Sequence, residues 1–199
     1  MPAKQATLDL KLYRVLLLVG AIVLIGFGPL YRMVEPSIVD PILIRIGIGL
    51  SCLAFVGLTF INDKVKENAL LGIYGLFFVV TAWQIWLTYL NNLSVNTSFG
   101  MMLVIFGCAV GFRKPIHLAV YSVLVIAGTT ATAILVDDPQ ISRITYLVTL
   151  SAIAILGYFV LSSRLKMVDS LRGAMEASGE AAKAKSEFLA TMSHEIRTP

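Results

Sequence analysis

The chain has 199 residues, of which 57% are hydrophobic and 14% charged, with a mean hydropathy of +0.83 and a formal net charge of +4. A soluble domain carries roughly 45–50% apolar and about 25% charged residues. The long uncharged runs therefore exclude an ordinary water-soluble globule and imply an integral membrane protein. Lys and Arg lie between or after those runs, a pattern that carries topology rather than a nucleic-acid footprint.

A bilayer core of about 30 Å takes roughly 20 apolar residues as helix. Six segments meet or approach that length: Leu12–Leu30, Pro41–Ile61, Ala69–Leu90, Val95–Phe112, Pro115–Val136 and Ile144–Leu161. The fourth has an ill-defined start, because Asn96, Thr97 and Ser98 are polar. No small-residue cleavage pattern ends the first run, so it reads as a span rather than a signal peptide. Each span is expected to be helical, since lipid offers the backbone no hydrogen-bond partners.

The connections alternate in charge. The N-terminal end carries Lys4, Lys11 and Arg14, Lys64 and Lys66 follow span two, Arg113-Lys114 follow span four, and Arg164 and Lys166 follow span six. The intervening connections are poor in positive charge, Arg32 facing Glu35 and Asp40, and Arg143 facing Asp137 and Asp138. Positive connections face the cytoplasm. The expected topology is thus multi-pass in a bacterial inner membrane with both termini cytoplasmic. The outward connections are too short for an extracellular sensor domain, so any detection takes place in the membrane or at its outer surface.

Polar and aromatic residues gather toward the outer leaflet. Tyr31 ends span one, Arg45 lies about one turn into span two, and Trp83, Gln84, Trp86 and Tyr89 occupy the outer half of span three. Thr129, Thr130 and Thr132 occupy the outer half of span five. An ionisable residue within a membrane helix is a candidate functional group. Aromatic walls with a few polar groups suit a small hydrophobic or amphipathic signal. The competing reading is structural: Trp and Tyr anchor helices at the interface, and Arg45 snorkels and pairs with Glu35 or Asp40. Cys52 and Cys108 lie inside apolar runs, without metal spacing, and read as packing residues. His117, behind Arg113-Lys114, reads as interfacial.

After Ser162 the composition becomes charged and alanine-rich. Leu161, Val168, Met175, Ala182, Leu189 and Ile196 recur every seven residues, one seam of a coiled coil. The positions three residues later, Arg164, Leu171, Ser178, Lys185 and Met192, are mixed. Gly173 and Gly179 weaken the helix by about 1 kcal/mol each relative to alanine. A weak paired helix with two packings of similar energy suits a signalling linker.

On that heptad Leu189, Met192 and Ile196 face the partner, and His194 falls on the outermost position. An imidazole there has a free nitrogen near neutral pH and is open to a nucleotide. Glu195 is placed to hold the other ring nitrogen or accept its proton. A zinc motif of the form His-Glu-x-x-His fails, because position 198 is Thr, and no metal site is expected.

The run Phe188-Leu-Ala-Thr-Met-Ser-His-Glu-Ile-Arg-Thr-Pro199 closely resembles the dimerisation and phosphoacceptor box of sensor histidine kinases. The resemblance implies that His194 is the phosphorylated residue, that Glu195 assists it, and that Thr198 positions water for dephosphorylation. It also implies a homodimer, ATP with Mg bound by a catalytic domain that this chain does not include, and phosphotransfer to an aspartate of a response regulator. The fragment alone is expected to be inactive. The six-span layout, with Gly28-Pro-Leu-Tyr31, Glu35 and Arg45, is similar to that of sensor kinases for hydroxyketone quorum-sensing signals.

The expected architecture is all-α: an N-terminal segment 1–11, a six-helix transmembrane sensor bundle 12–161, a coiled-coil-like cytoplasmic signalling helix 162–184, and the start of the phosphoacceptor domain 185–199. Two other classes compete, a non-catalytic membrane receptor module with a relic kinase box and a small transporter. The transporter expects ionisable residues near the bilayer midplane, and the spans carry almost none.

Overall fold

The computed structural model describes the backbone of residues 2–197 and the side chains of residues 10–171, 173–186 and 189. Every regular element among the described residues is helical. They run α1 (Pro2–Val34), α2 (Ile42–Ile61), α3 (Asp63–Glu67), α4 (Ala69–Leu90), α5 (Val95–Gly111), α6 (Pro115–Leu135) and α7 (Arg143–Arg197). The chain divides into two compact units, one ending at Tyr158 and one beginning at Phe159.

Among the described residues, five helices are long and apolar enough to cross a membrane: Leu10–Val34 of α1, α2, α4, α6, and α7 from Arg143. The expected fourth span is a shorter apolar helix of 17 residues, Val95–Gly111, roughly 25 Å at 1.5 Å per residue. Its start is set by a cap, not by hydropathy. The Ser94 hydroxyl accepts from Thr97 N–H at 3.3 Å, which satisfies one of the otherwise orphaned first-turn donors. At the other end of α5, Phe112 turns extended, and Pro115 opens α6 at a position where its missing amide costs nothing.

In the first unit α1 packs chiefly on α2, and α4 on α5 and α6. Its polarity is inverted relative to a soluble bundle. Ile22, Leu43, Leu71 and Ile134 are exposed, whereas Thr81, Gln84, Thr88, Thr97 and Ser98 are buried. Buried hydroxyls find partners on their own helices, Thr88 on the Gln84 carbonyl at 2.8 Å and Thr129 on that of Val125 at 2.9 Å. Thr130 and Thr132 likewise bond the carbonyls of Ile126 and Gly128. Glycines admit the closest approaches. A Cβ on Gly49 would meet Ile25 Cγ1 of α1 at 2.6 Å, and one on Gly111 would meet the Phe77 ring.

Two layers of connections close the ends. At one, Arg14 donates to the Thr59 hydroxyl at 2.8 Å and carbonyl at 2.7 Å, and its guanidinium stacks 3.5 Å above Phe60. This caps the last turn of α2 with a cation, where the helix dipole favours one. Nearby, Asn62 caps α3, and Lys66 bonds Asp63 at 2.7 Å, holding that exposed carboxyl below its usual range. Tyr74 accepts from the Arg113 amide at 3.2 Å and meets the His117 ring edge-on, which keeps His117 at the helix boundary.

At the opposite end, the loop after α1 is pinned to the end of α4. Asn91 accepts from Val39 N–H at 2.7 Å and donates to the Val39 carbonyl at 2.9 Å and the Leu87 carbonyl at 2.8 Å. Asn92 and Leu93 both take left-handed backbone, with φ near 50°. That conformation is uncommon for leucine, and full burial of the Leu93 side chain holds it. The turn thereby presents the Asn92 carbonyl to Gln140 N–H at 2.9 Å. Replacing Asn91 by Ala leaves the Val39 amide group without its side-chain partner, at about 1–3 kcal/mol. Asn91→Ala is expected to lower the midpoint of thermal unfolding in detergent by several degrees; an unchanged midpoint would show the α1–α2 loop to be held by other contacts.

Candidate functional site

Arg45 organises the site. It lies in the first turn of α2, only 1% exposed, in a helix that is otherwise apolar for two turns. Both Asp40 carboxylate oxygens approach its Nε, Oδ1 at 3.0 Å and Oδ2 at 2.9 Å. Its Nη1 donates to the Leu24 carbonyl of α1 at 2.9 Å. Tyr31 and Trp83 place their rings 5.3 Å and 5.9 Å from the guanidinium. Ion pairing, an aimed carbonyl and two aromatic faces together offset a desolvation penalty of several kcal/mol per ion.

The stretch of α1 beyond Leu24 holds a proline and a glycine. Pro29 lacks an amide, so the Ile25 carbonyl loses its i+4 donor and the helix ladder weakens. Gly28 lets the Arg45 side chain pass: a Cβ there would lie 3.0 Å from Arg45 Cδ and 3.3 Å from Asp40 Oδ2. Asp40 sits just before α2, with Arg32 donating to its backbone carbonyl at 3.2 Å. Of the two acids near Arg45 in sequence, Glu35 is used elsewhere, accepting from Asn96 Nδ2 at 2.9 Å.

Gln84 of α4 extends the polar patch. Its Nε2 donates to the Thr97 carbonyl of α5 at 2.9 Å, and its side chain also hydrogen-bonds Tyr31. The Tyr31 hydroxyl lies against Gly100, where any Cβ would collide with it. Three polar atoms in this neighbourhood are buried without a hydrogen-bond partner: Arg45 Nη2, Asp40 Oδ2 and Trp83 Nε1.

Beside the patch lies a half-enclosed cavity of about 380 Å³ between α1, α2, α4 and α5. Arg45, Gln84 and Tyr31 line it, and the rest of the wall is overwhelmingly apolar, including Leu24 and Phe27. Both cysteines line it too; they are buried free thiols. Among the six candidate ligand residues, the structure therefore brings Tyr31, Arg45 and Gln84 to the cavity. Trp83 backs Arg45 without lining the cavity, and Trp86 stacks edge-on against Trp83 at 5.3 Å. Trp86 and Tyr89 are substantially exposed on the outward face of α4. Of the two acids the sequence offered Arg45, the structure uses Asp40; Gly100 was missed and Gly28 was quoted only within a motif, because a glycine gives no signal of what it must accommodate.

The run read from the sequence as a phosphoacceptor box begins within the last turns of α7. The helix includes residues 194 and 195, but the side chains of His194 and Glu195, and all of Thr198, lie outside the described residues. In the second unit Val168, Met175 and Leu189 of the heptad seam are exposed on this single chain. No group of three His, Cys, Asp or Glu side chains that could hold a metal occurs among the described residues.

A stretch of 38 residues is 55% identical to "Sensor histidine kinase RcsC" of Escherichia coli (strain K12), covering 19% of this chain and 4% of that protein. A second Escherichia coli protein of the same name matches equally. No family model and no solved structure matches the chain. The protein thus combines helices fit to cross a membrane with a short region like a sensor histidine kinase.

Removing one member of the buried pair leaves the other charge stranded, at about 3–5 kcal/mol. Arg45→Ala and Asp40→Ala should each destabilise strongly, whereas the double variant Arg45→Gln with Asp40→Asn should cost much less than the sum of the corresponding single changes. A double-mutant cycle on thermal unfolding checks this; strict additivity would show that the two groups are not coupled.

Proposed function

We propose that this chain is the membrane input region of a two-component sensor histidine kinase, joined through α7 to a phosphoacceptor at His194. The observation that carries the reading is the 38-residue likeness to a sensor histidine kinase, at 55% identity, together with the Ser193-His-Glu-Ile-Arg-Thr-Pro199 box.

In this reading α5 is a sixth, short span, and the polar Asn91–Ser98 segment lies near the outer surface. Six spans put both termini in the cytoplasm, in agreement with the placement of Lys64, Lys66, Arg113 and Lys114. The exposed seam Val168, Met175 and Leu189 pairs with that of a second copy as a coiled coil. That seam leaves His194 on the outside. Its imidazole nitrogen attacks the γ-phosphorus of ATP held with Mg by a catalytic domain outside this chain. The bond to the bridging oxygen breaks, ADP leaves, and Glu195 takes the imidazole proton. The phosphoryl group then passes to a response-regulator aspartate. Thr198 positions water when the kinase acts as a phosphatase, hydrolysing the phosphoryl group to inorganic phosphate. The region around Arg45 is the place where a signal in or at the membrane biases the helices.

The test is a chimera that continues the chain after Pro199 with the hairpin and ATP-binding domain of a histidine kinase, assayed in membrane vesicles with radiolabelled ATP. Label should be acid-labile and stable to alkali, and His194→Gln should reduce it to background. Undiminished label in His194→Gln would overturn the assignment.

A further inference from the structure

The connections at the Arg45 end of the first unit are bonded to one another in series. The first is the stretch between α1 and α2. Pro36 and Pro41 bracket it, and a proline fixes its own φ and restricts the residue before it. Within this stiff stretch the Asp40 carboxylate is fully buried against Arg45. The adjoining residue, Val39, is gripped at both its N–H and its C=O by the Asn91 side chain. A residue held at both polar groups cannot turn away from its partner without breaking a bond, so displacing Asp40 pulls on Asn91.

The second connection is the turn after α4, and it is closed on itself. Asn92 N–H donates to the Tyr89 carbonyl at 3.2 Å, Leu93 N–H to that of Thr88 at 3.0 Å, and Ser94 N–H to that of Asn91 at 2.9 Å. Its left-handed pair, Asn92 and Leu93, is a conformation that persists only where the surroundings impose it. The Asn92 carbonyl in turn accepts from Gln140 N–H at 2.9 Å. Gln140 belongs to the third connection, between α6 and α7. Arg143, the first residue of α7, clamps that connection at its other end, donating to the Val136 carbonyl at 2.6 Å and the Asp137 carbonyl at 3.3 Å. Tyr146 N–H then bonds the Ser142 carbonyl at 2.9 Å as the helix opens.

We propose that these three connections act as one coupling plate, through which a change at the Asp40–Arg45 pair is passed by Asn91 and Asn92 to the first turn of α7. Each link is a directional bond to a backbone group, so the plate shifts as a unit or loses a bond. The Glu35–Asn96 bond joins the first connection to α5 instead, and lies off this route. The coupling rests on the reading of α7 as the output helix and deepens it, by naming the element that carries a rearrangement of the buried ion pair to that helix.

Amide hydrogen exchange reads each link, because an amide exchanges when its bond opens. The full chain in phosphatidylcholine nanodiscs is placed in deuterated water, and peptides covering residues 36–41, 137–147 and 62–68 are followed by mass spectrometry. The double variant Arg45→Gln with Asp40→Asn should speed exchange in 137–147 by roughly two- to tenfold, the range that the net worth of one hydrogen bond allows. Coupling is reciprocal, so Arg143→Gln should speed exchange in 36–41 by a similar factor. Asn91→Ala should abolish both cross-effects, whereas Asn96→Ala should leave them in place. The 62–68 segment, at the opposite end of the unit, should be unaffected throughout. Cross-effects that survive Asn91→Ala would show that helix packing carries the change, and would overturn the proposal. Effects confined to the substituted end would overturn it too, as would equal acceleration in 62–68, the mark of general loosening. The measurement needs neither ATP nor His194, so an unlabelled kinase chimera would leave the coupling standing, and uncoupled connections would leave the kinase reading standing.

Discussion

A guanidinium removed from water in an apolar helix bundle must be matched on every side, and the polar end of the first unit is arranged around that requirement. Arg45 draws its carboxylate from the residue segment just before its own helix and its carbonyl from α1, while Tyr31 and Trp83 supply aromatic faces from α1 and α4. Three helices and a loop are thus committed to one side chain. Gly28 is open because the Arg45 chain passes over it, and Asp40 is fully buried because its partner is. One guanidinium nitrogen remains unmatched, and Arg45 also lines the cavity between α1, α2, α4 and α5.

The same logic of internal satisfaction extends along the bundle. Lipid-facing positions carry Ile, Leu, Val and Phe, while hydroxyls and amides turn inward and bond backbone carbonyls. Asn91 and Gln84 perform the longer-range part of this work. Each carries a backbone group of another segment, Val39 for Asn91 and Thr97 for Gln84. These amides fasten loop to helix and helix to helix with directional bonds, which matter where apolar packing alone distinguishes poorly between protein and lipid neighbours.

Much of this was legible in the amino-acid sequence. Helix limits at Ile61, Ala69, Leu90 and Val95 follow from charge, hydropathy and polar punctuation, and α2, α4 and α6 fall within a residue of expectation. The fourth apolar run begins where expected and ends one residue earlier, and its polar start, ambiguous in the sequence, is a buried first turn capped by Ser94. The ligand candidates divided for a different reason. On a helix as uniformly apolar as α4, hydropathy offers no contrast between faces, so Trp83 and Gln84 could not be separated from Trp86 and Tyr89 until the packing was known. Arg45 announced itself as a charge in an apolar run, but its partner depended on the loop's path. The chemistry read from the tail motif rests on the sequence, since the side chains that would carry it lie outside the described residues.

The notch at Gly49 constrains how α1 and α2 can move past each other. Ile25 is seated where even a methyl group on Gly49 would not fit. Axial travel by a single residue rise, about 1.5 Å, would drive the isoleucine against the flanking side chains of α2, and close-packed interiors resist such displacement. Swivelling about the notch keeps the isoleucine in its socket. The contact thus fixes the axial register of α1 against α2 at this level.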